Sequence, residues 1–234
     1  MGDAQFIEKR EQVGAGRRHD LPYAAWAAWI KRKIAIVSAS GHKDLPMTTP
    51  VCFFAFRSPY SRIGLAKLKA AGVVPVVIPF TGPPDGAPFF NPTDSRPKLD
   101  YYLEDIPRMT ARAGLKLAFP DPFELTSRLP NLAFHLADQA GKGFDFACAA
   151  SEARWGEGQD LNRHEVLAAI AGGLGLDLPA ADALKNAEDL REAEQKARAA
   201  VNAHGVFGVP FLIATGQKYW GQDRFDLYLE AISA

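Results

Sequence analysis

Cysteine is scarce in this sequence, which has only Cys52 and Cys148 among 234 residues. The two lie far apart and form no C-x-x-C pair, so neither a disulfide framework nor a zinc site is indicated. The histidines also lack metal-ligand spacing, and we predict no metal site. Cysteines without a disulfide pattern favour a reducing compartment, and we expect a cytoplasmic protein.

An excess of charge of either sign is absent too, because 27 acidic side chains balance 27 basic ones. A neutral protein has no general field that attracts polyanions, so we expect neither nucleic acid nor an acidic membrane surface as a partner. The most apolar early stretch, residues 24–30, is far shorter than the roughly 20 residues of a membrane span. The first twenty residues hold eight charged side chains and show no secretory signal. These absences favour a small molecule as the partner.

The apolar residues, 47% of the chain, are sufficient to build a globular core. Residues 1–49 precede that core as an N-terminal extension, in which Tyr23, Trp26 and Ile30 recur at helical spacing. This spacing predicts a short amphipathic helix. The helix has two interpretations, a packing or dimer-contact arm and an anchor at a membrane surface.

A β-α-β pattern follows the extension. Apolar runs at 51–56 and 73–80 predict two strands, and the segment between them predicts a helix over 59–71 that stops at Gly72. A crossover helix between two apolar strands implies that the strands pair in parallel. Residues 82–98 are rich in Pro, Gly, Asn and Asp and therefore predict a loop.

A helical block separates this unit from the end of the chain. Helical periodicity recurs at about 98–113, 130–140, 144–153, 162–172 and 180–203. Apolar runs at 209–213 and 217–220 then predict a β-hairpin, and residues 222–232 a final helix. We therefore predict an α/β fold in which residues 50–97 and 204–234 form one domain and residues 98–203 form an inserted helical domain.

The first candidate site is Arg57-Ser58-Pro59-Tyr60-Ser61, where the first strand turns into the first helix. Proline one residue into a helix with serine before it is ordinary capping, so Ser58 has a purely structural interpretation. The same geometry has a functional interpretation, because the free N–H groups and partial positive charge of a helix N-terminus stabilise an anion. A thiolate is such an anion.

Two further motifs lie near the C-terminus. Gly-Val-Phe-Gly-Val-Pro-Phe, residues 205–211, places Pro210 at the opening of a strand, which fits either a cis Val209–Pro210 bond or a plain turn. Gly-Gln-Asp-Arg, residues 221–224, stands at the start of the last helix, where an aspartate also serves as a cap. Each motif is weak by itself.

Taken in order, the three motifs resemble the thioredoxin-like DsbA family, in its branch of kappa-class glutathione transferases and 2-hydroxychromene-2-carboxylate isomerases. The resemblance runs from about residue 51 to the C-terminus. The motif at 205–211, together with Trp-Gly-Gln-Asp-Arg at 220–224, is most similar to the isomerases. Further support comes from Lys98, Tyr101, Leu103 and Asp105, and from the run 155–160. The resemblance implies a thioredoxin-like fold (β-α-β plus β-β-α) with an inserted α-helical domain.

The resemblance also implies that the reactive thiol belongs to a bound cofactor and not to the protein. Disulfide oxidoreductases of the superfamily carry Cys-Pro-Tyr-Cys at the helix start, whereas this chain has Ser58 and Ser61 there. The glutathione-using branch brings its thiol in as a cofactor, so Ser58 is implied to hydrogen-bond and activate glutathione. A hydroxyl donor beside a helix N-terminus favours the thiolate over the thiol, whose pKa is ordinarily about 8.5.

The remaining glutathione contacts are implied residue by residue. The residue before a cis proline pairs through its backbone with the cysteinyl part, an Asp-Arg pair lies near the γ-glutamyl end, and a further contact follows the second strand. In this sequence the corresponding residues are Val209 and Pro210, Asp223 and Arg224, and Asn91 or Lys98.

Three functions are compatible with these motifs. The first is a glutathione-dependent isomerase of a conjugated aromatic carbonyl substrate, with no net redox change. The second is a kappa-class-like glutathione transferase, and the third is a cysteine-less, non-catalytic protein that binds peptides along the Val209–Pro210 edge. An aromatic substrate needs a wall such as Phe134, Trp155 or Phe207, which are also residue types of an ordinary core. The family leads us to expect a homodimer.

Overall fold

The structure, a computed structural model, describes residues 49–84, 86–88 and 94–233. The predicted amphipathic helix of the N-terminal extension and the candidate contact Asn91 lie outside these residues. None of the helices in the described ranges is long and apolar enough to cross a membrane.

A parallel strand pair opens the fold. β1, Val51–Phe54, pairs in parallel with β2, Val76–Pro79, as the β-α-β pattern predicts. α1, Pro59–Ala70, crosses between them, and its first residue is the proline that the capping pattern indicates. The crossover turns back at Gly72, whose φ of 69° suits a residue without a Cβ.

A hairpin extends the sheet on the other side of β1. β3, Phe211–Ala214, and β4, Gln217–Trp220, are antiparallel, and the sheet order is β2-β1-β3-β4. Thr215 and Gly216 form the two-residue turn with φ of 50° and 73°, the positive values that a tight hairpin requires. The prediction of a hairpin around this turn is confirmed.

Helices fill the rest of the described chain. Between the two halves of the sheet lie α2 Arg96–Arg112, α3 Arg128–Gln139, α4 Gly143–Gly156, α5 His164–Gly173, α6 Ala181–Asn186 and α7 Glu188–His204. α8, Phe225–Ser233, follows the hairpin. The α/β thioredoxin-like fold with a helical insertion is therefore confirmed.

One predicted helix, over 180–203, is two helices in the structure. Ala187 between α6 and α7 has extended backbone, with φ −68° and ψ 118°. Leu184 and Leu190 are both buried, although residues six apart on a continuous helix point about 120° away from each other. The break allows both leucines to face the core, which periodicity along the sequence could not reveal.

The sheet carries apolar side chains on both faces. Because side chains alternate along a strand, Phe54 faces one side and its neighbour Phe53 the other. Phe54 packs edge-on against Phe134 of α3, with 5.3 Å between ring centroids, in the larger core cluster. Phe53 belongs to a second cluster with Phe211 and with Val201 of α7. Both faces of the central strand β1 are therefore packed in the core.

Candidate functional site

The strand register brings the three sequence motifs to one end of the sheet. Phe53 of β1 lies opposite Phe211 of β3, which lies opposite Trp220 of β4. The carboxyl ends of β1 and β4 and the amino end of β3 therefore meet, and the segments that carry Ser58, Pro210 and Asp223 begin or end there. We call this the Ser58 end of the sheet, and the opposite end, with the turn at Thr215, the hairpin end.

Ser58 is the N-cap of α1. Its Oγ accepts a hydrogen bond from the backbone N–H of Ser61 at 3.1 Å, so the capping interpretation is correct. A hydroxyl that accepts one bond still has its own hydrogen to donate, and no acceptor for that hydrogen occurs among the described residues. Ser58 is half-buried, so its hydroxyl remains accessible from outside.

Ser61 has a different environment, although it is the second serine of the same motif. It is fully buried, and its Oγ accepts the backbone N–H of Ala55 at 3.2 Å. This bond ties the first turn of α1 to the end of β1. Ser61 is therefore a structural residue, and Ser58 is the more exposed serine of the pair.

The Val209–Pro210 bond is cis. The carbonyl of Pro210 accepts the N–H of Gly221 at 2.9 Å, which joins this loop to the segment after β4. The backbone N–H and C=O of the half-buried Val209 find no hydrogen-bond partner within the described part of the chain. An extended ligand segment would satisfy both groups, as an added strand does.

Asp223 and Arg224 lie in the turn that precedes α8, just before the helix that was predicted to contain them. Their side chains are exposed and pair with each other, with 2.7 Å between Arg224 Nη1 and Asp223 Oδ2. The preceding Gln222 is 4% exposed, and its Oε1 has no hydrogen-bond partner. This turn therefore offers a buried acceptor in addition to the predicted Asp-Arg pair.

Lys67 of α1 holds this turn in place. Its Nζ donates to the backbone carbonyl of Gln222 at 3.0 Å and to both carboxylate oxygens of Asp226 at 2.7 and 2.8 Å. All three ammonium hydrogens are thus used. Lys98, the other predicted contact that can be placed, is exposed in the first turn of α2, one helical turn before Tyr102.

Neither cysteine can supply a reactive thiol. Cys52 is fully buried in β1, and burial raises the pKa of its thiol far above neutral pH. Burial also raises the pKa of Cys148 in α4 to about 12. Because the thiolate is the nucleophilic form, both thiols are inert at neutral pH.

A cavity of about 300 Å³ lies beside the Ser58 end, between the sheet and the helical insertion. It is lined by Arg57, Phe80, Thr81, Ser127, Arg128, Asn131 and Glu194. Burial raises the pKa of Glu194, while the charge of Arg128 opposes that shift. The lining is more polar than the aromatic wall expected from the sequence.

The three aromatic residues suggested for that wall have other positions. Phe134 and Trp155 are each 1% exposed and belong to the core. Phe207 is exposed and contacts Phe211 and Trp220 instead, with ring centroids 5.7 and 4.7 Å away. The polar wall residues that sequence reasoning missed are Arg128 and Asn131 of α3 and Glu194 of α7, whose proximity leaves no local pattern.

Residues 51–233 match the family described as the DSBA-like thioredoxin domain. A 2-hydroxychromene-2-carboxylate isomerase of Sphingobium xenophagum is 29% identical over 189 residues, which cover 76% of this chain and 94% of that protein.

Solved structures give the same fold. That of a 2-hydroxychromene-2-carboxylate isomerase superposes with a TM-score of 0.66 at 23% identity, covering 80% of this chain and 95% of the other. A cytosolic disulfide reductase of Pseudomonas aeruginosa, solved with glutathione (GSH), has a TM-score of 0.52 at 18% identity, covering 80% of this chain and 99% of the other.

Proposed function

This chain belongs to the DsbA-like thioredoxin family, and we propose that it is a glutathione-dependent isomerase of a conjugated aromatic carbonyl compound. The observation that carries the proposal is the state of Ser58. Its oxygen caps α1, its hydrogen remains available, and no ionisable protein thiol lies beside it. A site built to stabilise an anionic sulfur, without a sulfur of its own, fits a thiol that arrives with a ligand.

The residues present fit glutathione. The free N–H and C=O of Val209 suit its cysteinyl backbone, and the turn with Gln222, Asp223 and Arg224 offers acceptors for the γ-glutamyl ammonium and a cation for its carboxylate. When bound, glutathione supplies a thiolate that can attack a conjugated double bond. Ser58 and the N-terminus of α1 hold that sulfur ionised, and each unit of pKa depression requires about 1.4 kcal/mol of preferential stabilisation.

The polar cavity suits an acidic substrate. Arg57 and Arg128 line it, and a guanidinium pairs well with a carboxylate. The relative of Sphingobium xenophagum is named for a substrate with a carboxylate and a chromene ring. We therefore take 2-hydroxychromene-2-carboxylate as the first compound to test.

The proposal is tested first by calorimetry with millimolar glutathione, and then by ultraviolet titration of the bound thiolate. Wild-type protein should bind glutathione and lower its thiol pKa below the ordinary value of about 8.5. Ser58→Ala should raise that pKa, because it removes the donor. Ser58→Asp should raise it further, because the carboxylate keeps the cap but repels the thiolate.

These two variants separate capping from activation. Ser58→Ala should lose about 0.5–2 kcal/mol of stability and Ser58→Asp almost none, since aspartate also caps helices. An unchanged thiolate titration in both would mean that Ser58 is only a cap, and absence of glutathione binding would end the proposal. A product that retains glutathione would identify a transferase instead of an isomerase.

A further inference from the structure

We infer that the first turn of α3, through Arg128 and Asn131, recognises the carboxylate of an aromatic 2-hydroxy acid, whose hydroxyl is accepted by Glu194 of α7. The inference deepens the proposed function, on which it rests, by assigning residues to the acidic head of the substrate. It is carried by Asn131, a buried amide that lines the cavity and makes no side-chain hydrogen bond among the described residues.

Asn131 is placed at the cavity by the start of α3. Its backbone N–H donates to the carbonyl of Ser127 at 3.0 Å, which closes the first turn of the helix. The residue is 4% exposed, and it lines the cavity of about 300 Å³. A buried amide normally has partners for its two N–H hydrogens and its oxygen. A molecule in the cavity would supply the partners that the described residues do not.

The N-terminus of α3 borders the same cavity. Its N-cap, Ser127, lines the cavity, and the Ser127 hydroxyl makes no capping hydrogen bond, in contrast to that of Ser58. The first N–H groups of a helix have no acceptor within the helix, and the helix dipole adds a partial positive charge there. Together with the buried amide of Asn131, this end of α3 favours an anion in the cavity.

Arg128 adds a full positive charge to this turn. It lies three residues before Asn131, about one helical turn, so the two side chains lie on the same side of α3. Arg128 lines the cavity, is exposed and forms no ion pair with any described residue. A guanidinium and an amide N–H can hold the two oxygens of one carboxylate. The pair therefore favours a carboxylate over a neutral oxygen.

Glu194 limits which acid fits. It lies on α7, which runs beside α3, since Nε2 of Gln139 donates to Oδ2 of Asp189 at 3.1 Å. Glu194 is half-buried, lines the cavity and makes no hydrogen bond or ion pair with a described residue. Its carboxylate repels a second carboxylate, unless the incoming acid also carries a donor. A hydroxyl next to the ligand carboxylate is such a donor, so the lining suits a 2-hydroxy acid better than a plain acid.

The cavity also has a surface for an aromatic ring and lies next to the Ser58 turn. Phe80, directly after β2, lines it, and a volume of about 300 Å³ is enough for a small organic molecule. Arg57, the residue before Ser58, lines it as well. A carboxylate held at the first turn of α3 would therefore orient the rest of the acid relative to a thiolate at Ser58.

Mandelate, an aromatic 2-hydroxy acid, tests the inference in the absence of glutathione. Its amide, mandelamide, lacks the charge, and phenylacetate lacks the hydroxyl. Calorimetry should show that wild-type protein binds mandelate more tightly than either compound. Asn131→Asp should weaken mandelate binding about tenfold or more, because a like charge replaces a donor to a charged group. The helix should persist, since aspartate is favourable in a first turn.

Asn202→Asp is the matched control, because Asn202 is exposed on α7 and is not among the residues that line the cavity. It adds the same charge, and mandelate binding should stay unchanged. Glu194→Gln, as a second variant, should tighten phenylacetate binding and narrow the preference for mandelate, since the like charge is removed.

The inference is overturned if wild-type protein binds mandelate no more tightly than mandelamide, or if Asn131→Asp binds mandelate as wild type does. Equal losses in Asn131→Asp and Asn202→Asp would assign the effect to net charge and would also overturn it. Failure of glutathione binding alone would reject the proposed function and leave this result intact. Normal glutathione binding without a preference for mandelate would reject the inference alone.

Discussion

The two ends of the four-stranded sheet differ in how their polar groups are satisfied. At the hairpin end, Val76 N–H donates to the carbonyl of Pro50 at 2.8 Å and Val73 N–H to that of Leu68 at 2.9 Å. At the Ser58 end, the hydroxyls of Ser58 and Tyr102 and the backbone groups of Val209 lack partners within the described chain. These half-buried groups are open to a bound ligand, and this is the end of the sheet where we propose that glutathione binds.

At the Ser58 end, the turn before α8 keeps its position although the Oε1 of Gln222 in it lacks a hydrogen-bond partner. The turn before α8 is held by Lys67 and by the packing of Phe225 against α1, not by the groups that face a ligand. In this turn the contacts that hold the segment are therefore made by other atoms than the groups we propose to meet a ligand, whereas the Ser58 hydroxyl has both roles. Changes that affect only one of these two sets should separate stability from binding.

The largest effect is expected from Gly64→Val in α1. A Cβ at Gly64 would lie 2.8 Å from the ring of Phe225, so α8 and the turn before it would be displaced. We expect a loss of about 1–3 kcal/mol in the free energy of unfolding and a loss of glutathione binding. Urea unfolding and calorimetry measure the two effects.

Gly172→Val in α5 is the matched control, because a Cβ there meets no atom within 4 Å. It should not reduce stability, since valine is a better helix former than glycine. Equal losses in the two variants would show that the contact with Phe225 does not matter.

An intermediate effect is expected from Lys67→Met, which removes the ammonium that ties the turn to α1. Glutathione affinity should fall several-fold, because Asp223 and Arg224 lose their fixed position, while stability falls by about 1 kcal/mol. Lys69→Met, an exposed lysine on the same helix, should change neither quantity. Unaltered glutathione affinity in Lys67→Met would remove the turn from the binding site.

The smallest effect is expected at the hairpin end. Thr215 has a φ of 50°, a left-handed conformation that is sterically unfavourable for a β-branched residue. Asparagine tolerates that conformation well. Thr215→Asn should raise the free energy of unfolding by about 0.5 kcal/mol, as measured by urea unfolding. Glutathione affinity should not change; a change would show that the two ends are coupled.

Predictions from sequence were accurate where the information is local. The cap at Ser58, the proline that follows it and the Thr215-Gly216 turn are each defined by neighbouring residues, and each is present. The prediction for 180–203 was wrong in one respect, because burial of both Leu184 and Leu190 depends on a core assembled from distant segments.

The candidate site shows the same division. Motif spacing indicated Ser58, Pro210 and the Asp-Arg pair, because tight turns and helix ends have strong local signatures. The position of Tyr102 was within reach of sequence reasoning, since it lies next to Tyr101 in a segment already singled out. Its edge-on ring contact with Tyr60, with 5.6 Å between centroids, was not, because the two residues are distant in the sequence.

The sequence by itself determined the order of strands and helices, the helix N-terminus at Ser58 and the absence of a thiol there, because these depend on adjacent side chains and backbone preferences. Only the tertiary structure decided which polar groups are left without partners. That property depends on every neighbour that folding brings close: Ser61 is fully buried, whereas Ser58, three residues earlier, is only half-buried.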